Sequence, residues 1–101
     1  MPAQRIGSIT DVPEGKSKLF TVNNTPIGVF HVNEKWFAIY DKCSHRGGML
    51  HEGERDGTVV SCPIHGAQFD ITTGQNLSPP APSPVKAYKI WVEGNDLILE
   101  I

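Results

Sequence analysis

The chain has 101 residues, with 39% hydrophobic and 20% charged residues, which suits one globular domain. Its formal net charge is −2, from 9 Lys and Arg and 11 Asp and Glu, so no concentrated basic face is expected to bind nucleic acid or anionic lipid. No stretch approaches the roughly 18 apolar residues of a membrane span, and the first residues lack the basic-then-apolar order of a secretory signal. We therefore expect a cytoplasmic protein with no nucleic-acid or membrane partner.

Short β-rich runs separated by turn residues dominate the first two thirds of the chain, and no segment shows a helical period. Three such runs cover residues 19–22, 27–32 and 36–40. Residues 33–35 are predicted to form a compact hairpin connection between the second and the third run. Further along, Asp56-Gly57 favours a tight turn, because glycine readily adopts positive φ, and it predicts a strand over residues 58–61.

The C-terminal third alternates in the manner of a half-buried strand. Tyr88, Ile90 and Val92 take every second position, and after the Gly94-Asn95 turn the alternation resumes over residues 97–101, which predicts an antiparallel pair. The aromatic residues in these alternating runs are expected to be core residues, namely Trp36, Phe37, Tyr88 and Trp91.

A proline-rich run covers residues 77–84, with four prolines in its last six residues. Proline removes backbone donors, so this run is predicted to be a stiff, extended loop rather than a strand. No repeat or domain boundary interrupts the pattern. The sequence predicts one all-β domain spanning residues 1–101.

Two short motifs carry the chemistry of the chain. Cys43-Ser44-His45 and Cys62-Pro63-Ile64-His65 each offer one thiolate and one imidazole, and 16 residues separate them. Glycines follow both motifs, in Arg46-Gly47-Gly48 and in Gly66-Ala67, where they let backbone amides approach a bound group closely. This donor set predicts a metal site made of Cys43, His45, Cys62 and His65. The chain has only these 2 cysteines, and their neighbouring histidines favour metal binding over a disulfide.

The two motifs resemble the Rieske iron–sulfur signature, in which two histidines replace two cysteines on one iron of a [2Fe–2S] cluster. The resemblance extends over residues 40–84 and includes the runs CSHRGGML, CPIHGAQFD and the Thr73-Gly74 pair. It implies a Rieske-type (ISP) fold of antiparallel sheets with a small cluster-binding subdomain of two loops, at about residues 41–84. By this resemblance Cys43 and Cys62 would bind the buried iron, and His45 and His65 the outer iron.

The resemblance also implies an electron carrier of low potential. With two thiolates and neutral imidazoles the oxidised cluster has no net charge, so it is reduced more easily than a dianionic four-cysteine cluster, and the family spans roughly −150 to +300 mV. High-potential relatives have a disulfide between the loops and hydroxyl donors to the cluster. Here Gly48 and Ile64 stand at the disulfide positions, and Ala67 and Phe69 at the donor positions. The potential is therefore expected near the negative end of the range.

By this resemblance, the first functional hypothesis is the soluble ferredoxin of an aromatic-ring dioxygenase system, which passes electrons from a reductase to a terminal oxygenase. We expect these transient redox partners and no small-molecule substrate. Arg46, Met49 and Pro80 are candidate contact residues near the exposed histidines, and the proline-rich run is expected to cover the cluster. The chain has no room for a second, catalytic domain, so it is predicted to be an electron-transfer component and not an enzyme.

Two other functions remain open at this stage. The small subunit of an assimilatory nitrite reductase has a similar fold and size, although such subunits often lack some ligands. A zinc-stabilised interaction module would use the same four donors, because two thiolates and two imidazoles suit tetrahedral zinc. His31 lies within a β-rich run and His51 among turn residues, and neither is expected to be a ligand.

Overall fold

The computed structural model describes residues 3–42, 49–63, 66–77 and 83–101. These residues form nine strands and two short 3₁₀ turns. The strands are β1 (Ala3–Ser8), β2 (Ser17–Val22), β3 (Thr25–Val32), β4 (Lys35–Tyr40), β5 (Arg55–Asp56), β6 (Val59–Ser61), β7 (Gln68–Asp70), β8 (Ala87–Glu93) and β9 (Asp96–Glu100), and the turns are Ile9–Asp11 and Leu50–Glu52. The all-β antiparallel fold class predicted from the sequence is confirmed.

The strands form two antiparallel sheets of different size. The large sheet has six strands in the order β1-β9-β8-β4-β3-β2, and the small sheet has three in the order β5-β6-β7. Strands β3 and β4 are joined by a two-residue turn, because Val32 pairs with Lys35 and Asn33 and Glu34 have φ of 52° and 65°. Two successive positive φ angles match the twist of the flanking strands. The predicted hairpin connection is thus confirmed, one residue shorter than expected.

The large sheet is buried on both faces along β3 and β4. One face packs into a core in which Ile27, Val29 and Ala38 contact Leu97 and Leu99 of β9. The opposite face packs against the small sheet and its loops, and this core contains Phe30, Val32, Ile39, Leu50, Val60, Cys62, Ala67, Phe69, Ile71 and Val85. We call the second one the loop-side core. It connects the large sheet to both predicted ligand loops.

The predicted strands are confirmed in position, and three further strands appear. The runs that alternate or are rich in β-branched residues correspond to β2, β3, β4, β6, β8 and β9. Strands β1, β5 and β7 were not predicted. Strands β5 and β7 have only two and three residues, and they exist because they pair on either side of β6. Such short segments have no periodicity that a sequence pattern could show.

The core prediction is correct for three of the four aromatic residues and wrong for Trp91. Trp36 and Tyr88 pack against the core that contains Ile27 and Leu97, and Phe37 packs against the loop-side core. Trp91 belongs to neither core, and its indole N–H donates to Oε2 of Glu93 at 2.7 Å. Its neighbour Val92 is 38% exposed. An alternating strand pattern gives the period of burial, but the neighbouring strands decide which positions are covered. Within the described residues no helix is long and apolar enough to cross a bilayer.

Candidate metal centre

The first ligand loop begins and ends at residues that are hydrogen-bonded to each other. Strand β4 ends at Tyr40, and two residues later Lys42 forms an antiparallel bridge with Met49. The backbone N–H of Leu50 donates to the carbonyl oxygen of Asp41 at 2.7 Å. Residues 43–48, which include Cys43 and His45, lie outside the described residues. The two ends of this loop are therefore held together at the end of β4.

A buried carboxylate reinforces the base of this first loop. Asp41 is fully buried, and its Oδ1 accepts the backbone N–H of His51 at 2.7 Å. The ring Nδ1 of His51 is hydrogen-bonded to Oδ2 of the same carboxylate. Burial raises the pKa of Asp41 above its ordinary value, and the hydrogen bonds from His51 oppose that shift. No local sequence pattern singles out this pair, since an aspartate after a strand usually signals only a turn.

The second ligand loop is a tight excursion at the end of β6. Cys62 is 2% exposed, and its backbone N–H donates to the carbonyl oxygen of Ala67 at 2.7 Å. The N–H of Gly66 donates to the carbonyl oxygen of Cys62 at 2.9 Å, and Gly66 has φ of 72°, which glycine adopts without strain. Residues 64–65, which include His65, lie outside the described residues. A buried thiol thus stands at the start of a loop that returns to its own base.

The proline-rich run is closed at its base in the same way. The backbone N–H of Val85 donates to the carbonyl oxygen of Gly74 at 2.9 Å, and the N–H of Leu77 donates to that of Gln68 at 2.7 Å. Gly74 has φ of 81°, and a Cβ at this position would overlap the carbonyl oxygen of Val85. Residues 78–82 lie outside the described residues. The predicted loop therefore leaves and rejoins the fold beside β7.

The bases of all three loops meet in the loop-side core. Leu50 follows the first loop, Cys62 and Ala67 bracket the second, and Val85 follows the third, and all four are buried in this one core. Of the four predicted ligands, the structure describes Cys62 and places it there. The convergence of Cys43, His45 and His65 on it stays a prediction, because these three residues lie outside the described part of the chain.

Cys62 fits the role of an iron–sulfur ligand. Its thiol lies in an apolar core, which keeps the water away from a cluster sulfur and iron. Gly66 has φ of 72°, so the second loop can turn sharply just after the thiol without strain. A cavity of about 460 Å³ adjoins this loop, lined by Cys62, Pro63 and Gly66 together with Glu52, Gly53, Glu54 and Ser61.

The two histidines that were not expected to be ligands have partners elsewhere. His31 stacks on Trp36 with 3.8 Å between ring centroids, and its Nδ1 lies 2.9 Å from the carbonyl oxygen of Val12. His51 is hydrogen-bonded to Asp41, as described above. Both histidines therefore have a structural role in the residues that the structure describes.

Comparison with known proteins identifies the family of this fold. The Rieske [2Fe–2S] domain family matches residues 3–89. The 3-phenylpropionate/cinnamic acid dioxygenase ferredoxin subunit of Shigella flexneri serotype 5b (strain 8401) is 37% identical over 95 residues, which cover 92% of this chain and 88% of that protein.

Solved structures agree with the sequence comparison. The ferredoxin of carbazole 1,9a-dioxygenase from Nocardioides aromaticivorans IC177 superposes with a TM-score of 0.91 at 26% identity, covering 98% of this chain and 97% of that one. A complex of reduced oxygenase and oxidised ferredoxin in carbazole 1,9a-dioxygenase contains a chain with a TM-score of 0.86 at 28% identity, covering 96% of this chain and 91% of that one. The chain is thus similar over nearly its whole length to stand-alone ferredoxins.

Proposed function

The chain belongs to the Rieske [2Fe–2S] domain family, and on that premise we propose that Cys43, His45, Cys62 and His65 ligate its cluster. It is an electron carrier with a [2Fe–2S] cluster and not itself an enzyme, because the relatives that it matches over nearly their whole length are ferredoxin components of dioxygenase systems. We further propose that it takes electrons from a reductase and delivers them to a terminal oxygenase. The burial of Cys62 among the bases of the three loops supports the ligand assignment most directly.

When bound, the cluster supplies a centre that accepts and releases one electron. The residues of this chain have two tasks around it. Cys62, Ala67 and Leu50 exclude water on the inner side, since all three are buried in the loop-side core. By the family pattern, His45 and His65 would hold one iron of the cluster, and their imidazole rings would carry electrons between the cluster and a partner. A neutral imidazole ligand therefore suits electron exchange with a partner at the protein surface.

The docking patch is proposed to surround the tips of the three loops. Among the described residues near these loops, Pro63 is exposed and Leu77 is 46% exposed, whereas Met49, a predicted contact, is half-buried. The other two predicted contacts, Arg46 and Pro80, lie outside the described residues. Redox encounters use small patches, typically below about 1,200 Å². An apolar residue at the edge of such a patch is therefore expected to affect partner binding.

The carrier function can be tested with two matched charge substitutions. Leu77 and Val92 are the large hydrophobic residues that are exposed in the described parts of the chain. Leu77 begins the proline-rich loop, and Val92 lies near the far end of β8. We expect Leu77→Glu to slow reduction by a flavin reductase and reoxidation by a terminal oxygenase, measured by stopped-flow absorbance, while Val92→Glu leaves both rates unchanged. Equal rates for both variants, or a parent protein that neither partner oxidises or reduces, would contradict the proposal.

Two alternative functions are less well supported than the carrier. The match to a [2Fe–2S] family favours iron–sulfur over zinc, and the similar ferredoxin subunits favour a stand-alone carrier over a nitrite reductase subunit. Reversible bleaching of the visible absorbance by dithionite would exclude zinc. Co-purification with a sirohaem protein would instead support the nitrite reductase subunit.

We propose a low reduction potential, and the positions of Ala67 and Phe69 support it. Both residues are fully buried beside Cys62 in the loop-side core, and neither carries a hydroxyl that could donate to the reduced cluster. A donor that favours the reduced state by about 1 kcal/mol would raise a one-electron potential by about 40 mV. We expect Ala67→Ser and Phe69→Tyr each to raise the midpoint by roughly this amount in a redox titration. A parent midpoint well above about +100 mV would refute the low-potential assignment.

We also propose that residues 1–101 fold as one domain, with the cluster-binding part at about residues 41–84, and that the protein is cytoplasmic. The one-domain proposal is supported by β3 and β4, which contribute residues to both cores. The cytoplasmic proposal is supported by the use of cysteine as a ligand rather than in a disulfide. Limited proteolysis that releases a stable fragment would contradict the first proposal, and recovery in an extracytoplasmic fraction would contradict the second.

A further inference from the structure

We propose that Asp41 and His51 are positioning residues that hold the first ligand loop in its cluster-binding shape. We call this pair the Asp41–His51 clasp. The inference rests on the proposed assignment of Cys43 and His45 as ligands, because these residues lie between the two halves of the clasp. It concerns neither the ligands themselves nor the partner-binding surface.

Asp41 is held in place by hydrogen bonds to three residues, Pro26, Leu50 and His51. It is the one charged residue that is fully buried in the described ranges. Its backbone N–H donates to the carbonyl oxygen of Pro26 at 3.0 Å, which fixes it to β3, and its own carbonyl oxygen accepts the N–H of Leu50 at 2.7 Å. Burial of an ionised group needs compensating hydrogen bonds, and removal of one partner is strongly unfavourable. The buried carboxylate of Asp41 therefore depends on the hydrogen bonds that it makes.

His51 provides those compensating bonds. Its backbone N–H is hydrogen-bonded to one oxygen of the Asp41 carboxylate, and its ring Nδ1 is hydrogen-bonded to the other. Backbone and side chain of His51 together hold the end of the first loop against Asp41. The hydroxyl of Ser17 in turn donates to the carbonyl oxygen of His51 at 2.7 Å, which anchors the exit to β2. The entry and exit of the first loop are therefore connected to three strands of the large sheet through β2, β3 and β4.

Gly28 of β3 gives independent support for the clasp. A Cβ at Gly28 would overlap Oδ1 of Asp41, and the next nearest atoms are Cγ of Asp41 at 3.1 Å and Cε1 of Phe30 at 3.3 Å. Gly28 has ordinary strand geometry and is not among the glycines with positive φ. The need for glycine here comes from the close approach of the carboxylate and not from the backbone conformation.

The clasp also lies in contact with the second loop through the core. Leu50 directly precedes His51 in the chain, and it is fully buried in the core that contains Cys62 and Ala67. A displaced Leu50 would disturb the packing around the Cys62 thiol as well as the first loop. We therefore expect loss of the clasp to change how the cluster is held, and not only how stable the fold is.

The test compares two histidines with the same side-chain exposure. His51 and His31 are each 17% exposed, but His31 lies against Trp36 and Val12 rather than against Asp41. The proteins are purified with their cluster, and the rate of cluster loss to a chelator is followed by visible absorbance below the unfolding temperature of every variant. The EPR g values of the reduced cluster are recorded in parallel.

We expect His51→Ala to lose its cluster about tenfold faster than the parent, as the loss of a hydrogen bond to a buried charge implies, and to show altered g values. His51→Asn is expected to restore both properties, because the asparagine Nδ2 can donate where Nδ1 does. His31→Ala is expected to keep the parental rate of cluster loss and g values, whatever its thermal stability. Gly28→Ala, which reaches the same carboxylate from β3, is expected to behave like His51→Ala and replaces it in the comparison if that variant does not fold.

The clasp would be overturned if His51→Ala and His31→Ala lost the cluster at the same rate, or if His51→Asn gave no rescue. Cys43→Ser is measured beside them to separate this inference from the ligand assignment. If Cys43→Ser keeps the native spectrum, the ligand assignment itself is wrong. If Cys43→Ser loses the cluster while His51→Ala and Gly28→Ala keep parental rates and g values, the ligand assignment stands and the clasp is wrong.

Discussion

Replacement of Cys62 by serine is expected to give a folded protein without its [2Fe–2S] cluster. Serine remains protonated near neutral pH and is a harder, poorer ligand for iron than thiolate. The thiol is buried in the loop-side core, so water cannot easily substitute for it. We expect the purified variant to have no visible iron–sulfur absorbance, no EPR signal after reduction, and close to no bound iron.

The matched control is Ser61→Ala, on the residue just before Cys62. It leaves intact the backbone hydrogen bond that the N–H of Ser61 donates to the carbonyl oxygen of Glu54 at 2.8 Å, and it is expected to keep the full cluster content. Cys43→Ser, His45→Ala and His65→Ala should resemble Cys62→Ser if the four residues form one site. A Cys62→Ser protein with parental absorbance and EPR spectrum would remove Cys62 from the ligand set.

Substitution of Gly74 by alanine is expected to have the second largest effect, a loss of about 3 kcal/mol in the free energy of unfolding. Gly74 has φ of 81°, and an added Cβ would overlap the carbonyl oxygen of Val85. That carbonyl cannot move away freely, since the N–H of Val85 donates to the carbonyl oxygen of Gly74 at 2.9 Å and its side chain is buried. The base of the proline-rich loop should open, and cluster loss should become faster.

Two other glycines separate the cost of positive φ from the cost of the close contact. Gly57 and Gly94 have φ of 63° and 64°, and an added Cβ at either would meet nothing within 4 Å. Alanine there should cost only the conformational penalty, about 1 kcal/mol. The three variants are compared by denaturant unfolding and by the rate of cluster loss. Equal losses of stability in all three would show that the Gly74–Val85 contact contributes nothing of its own.

The chemistry of the site could be predicted from the sequence because it depends on residue types at short spacing. A cysteine two residues before a histidine, and another three residues before a histidine, restrict the donors to a few metal centres whatever the surrounding fold. The family comparison confirms the cofactor. The β8–β9 pair was also predictable, because period-2 alternation acts locally. The conformation of the proline-rich run stays a prediction, because residues 78–82 lie outside the described residues.

Other features depend on residues that are distant in sequence, and no local pattern could show them. His51 lies among turn residues in the sequence, and its partner Asp41 is buried against Gly28 of β3, where a Cβ would overlap the carboxylate. The position of Trp91 outside both cores depends on which strands cover β8.

The residue types of the two motifs thus indicate iron–sulfur chemistry from the sequence alone, because the identity of a ligand is a property of a single side chain. The meeting of the loop bases in one core came from the folded chain. Burial on both faces of β3 and β4 creates the loop-side core that gathers Leu50, Cys62 and Val85. Burial is a collective property of several strands, and hydrogen bonds across a loop base need two segments that only the completed sheet brings together.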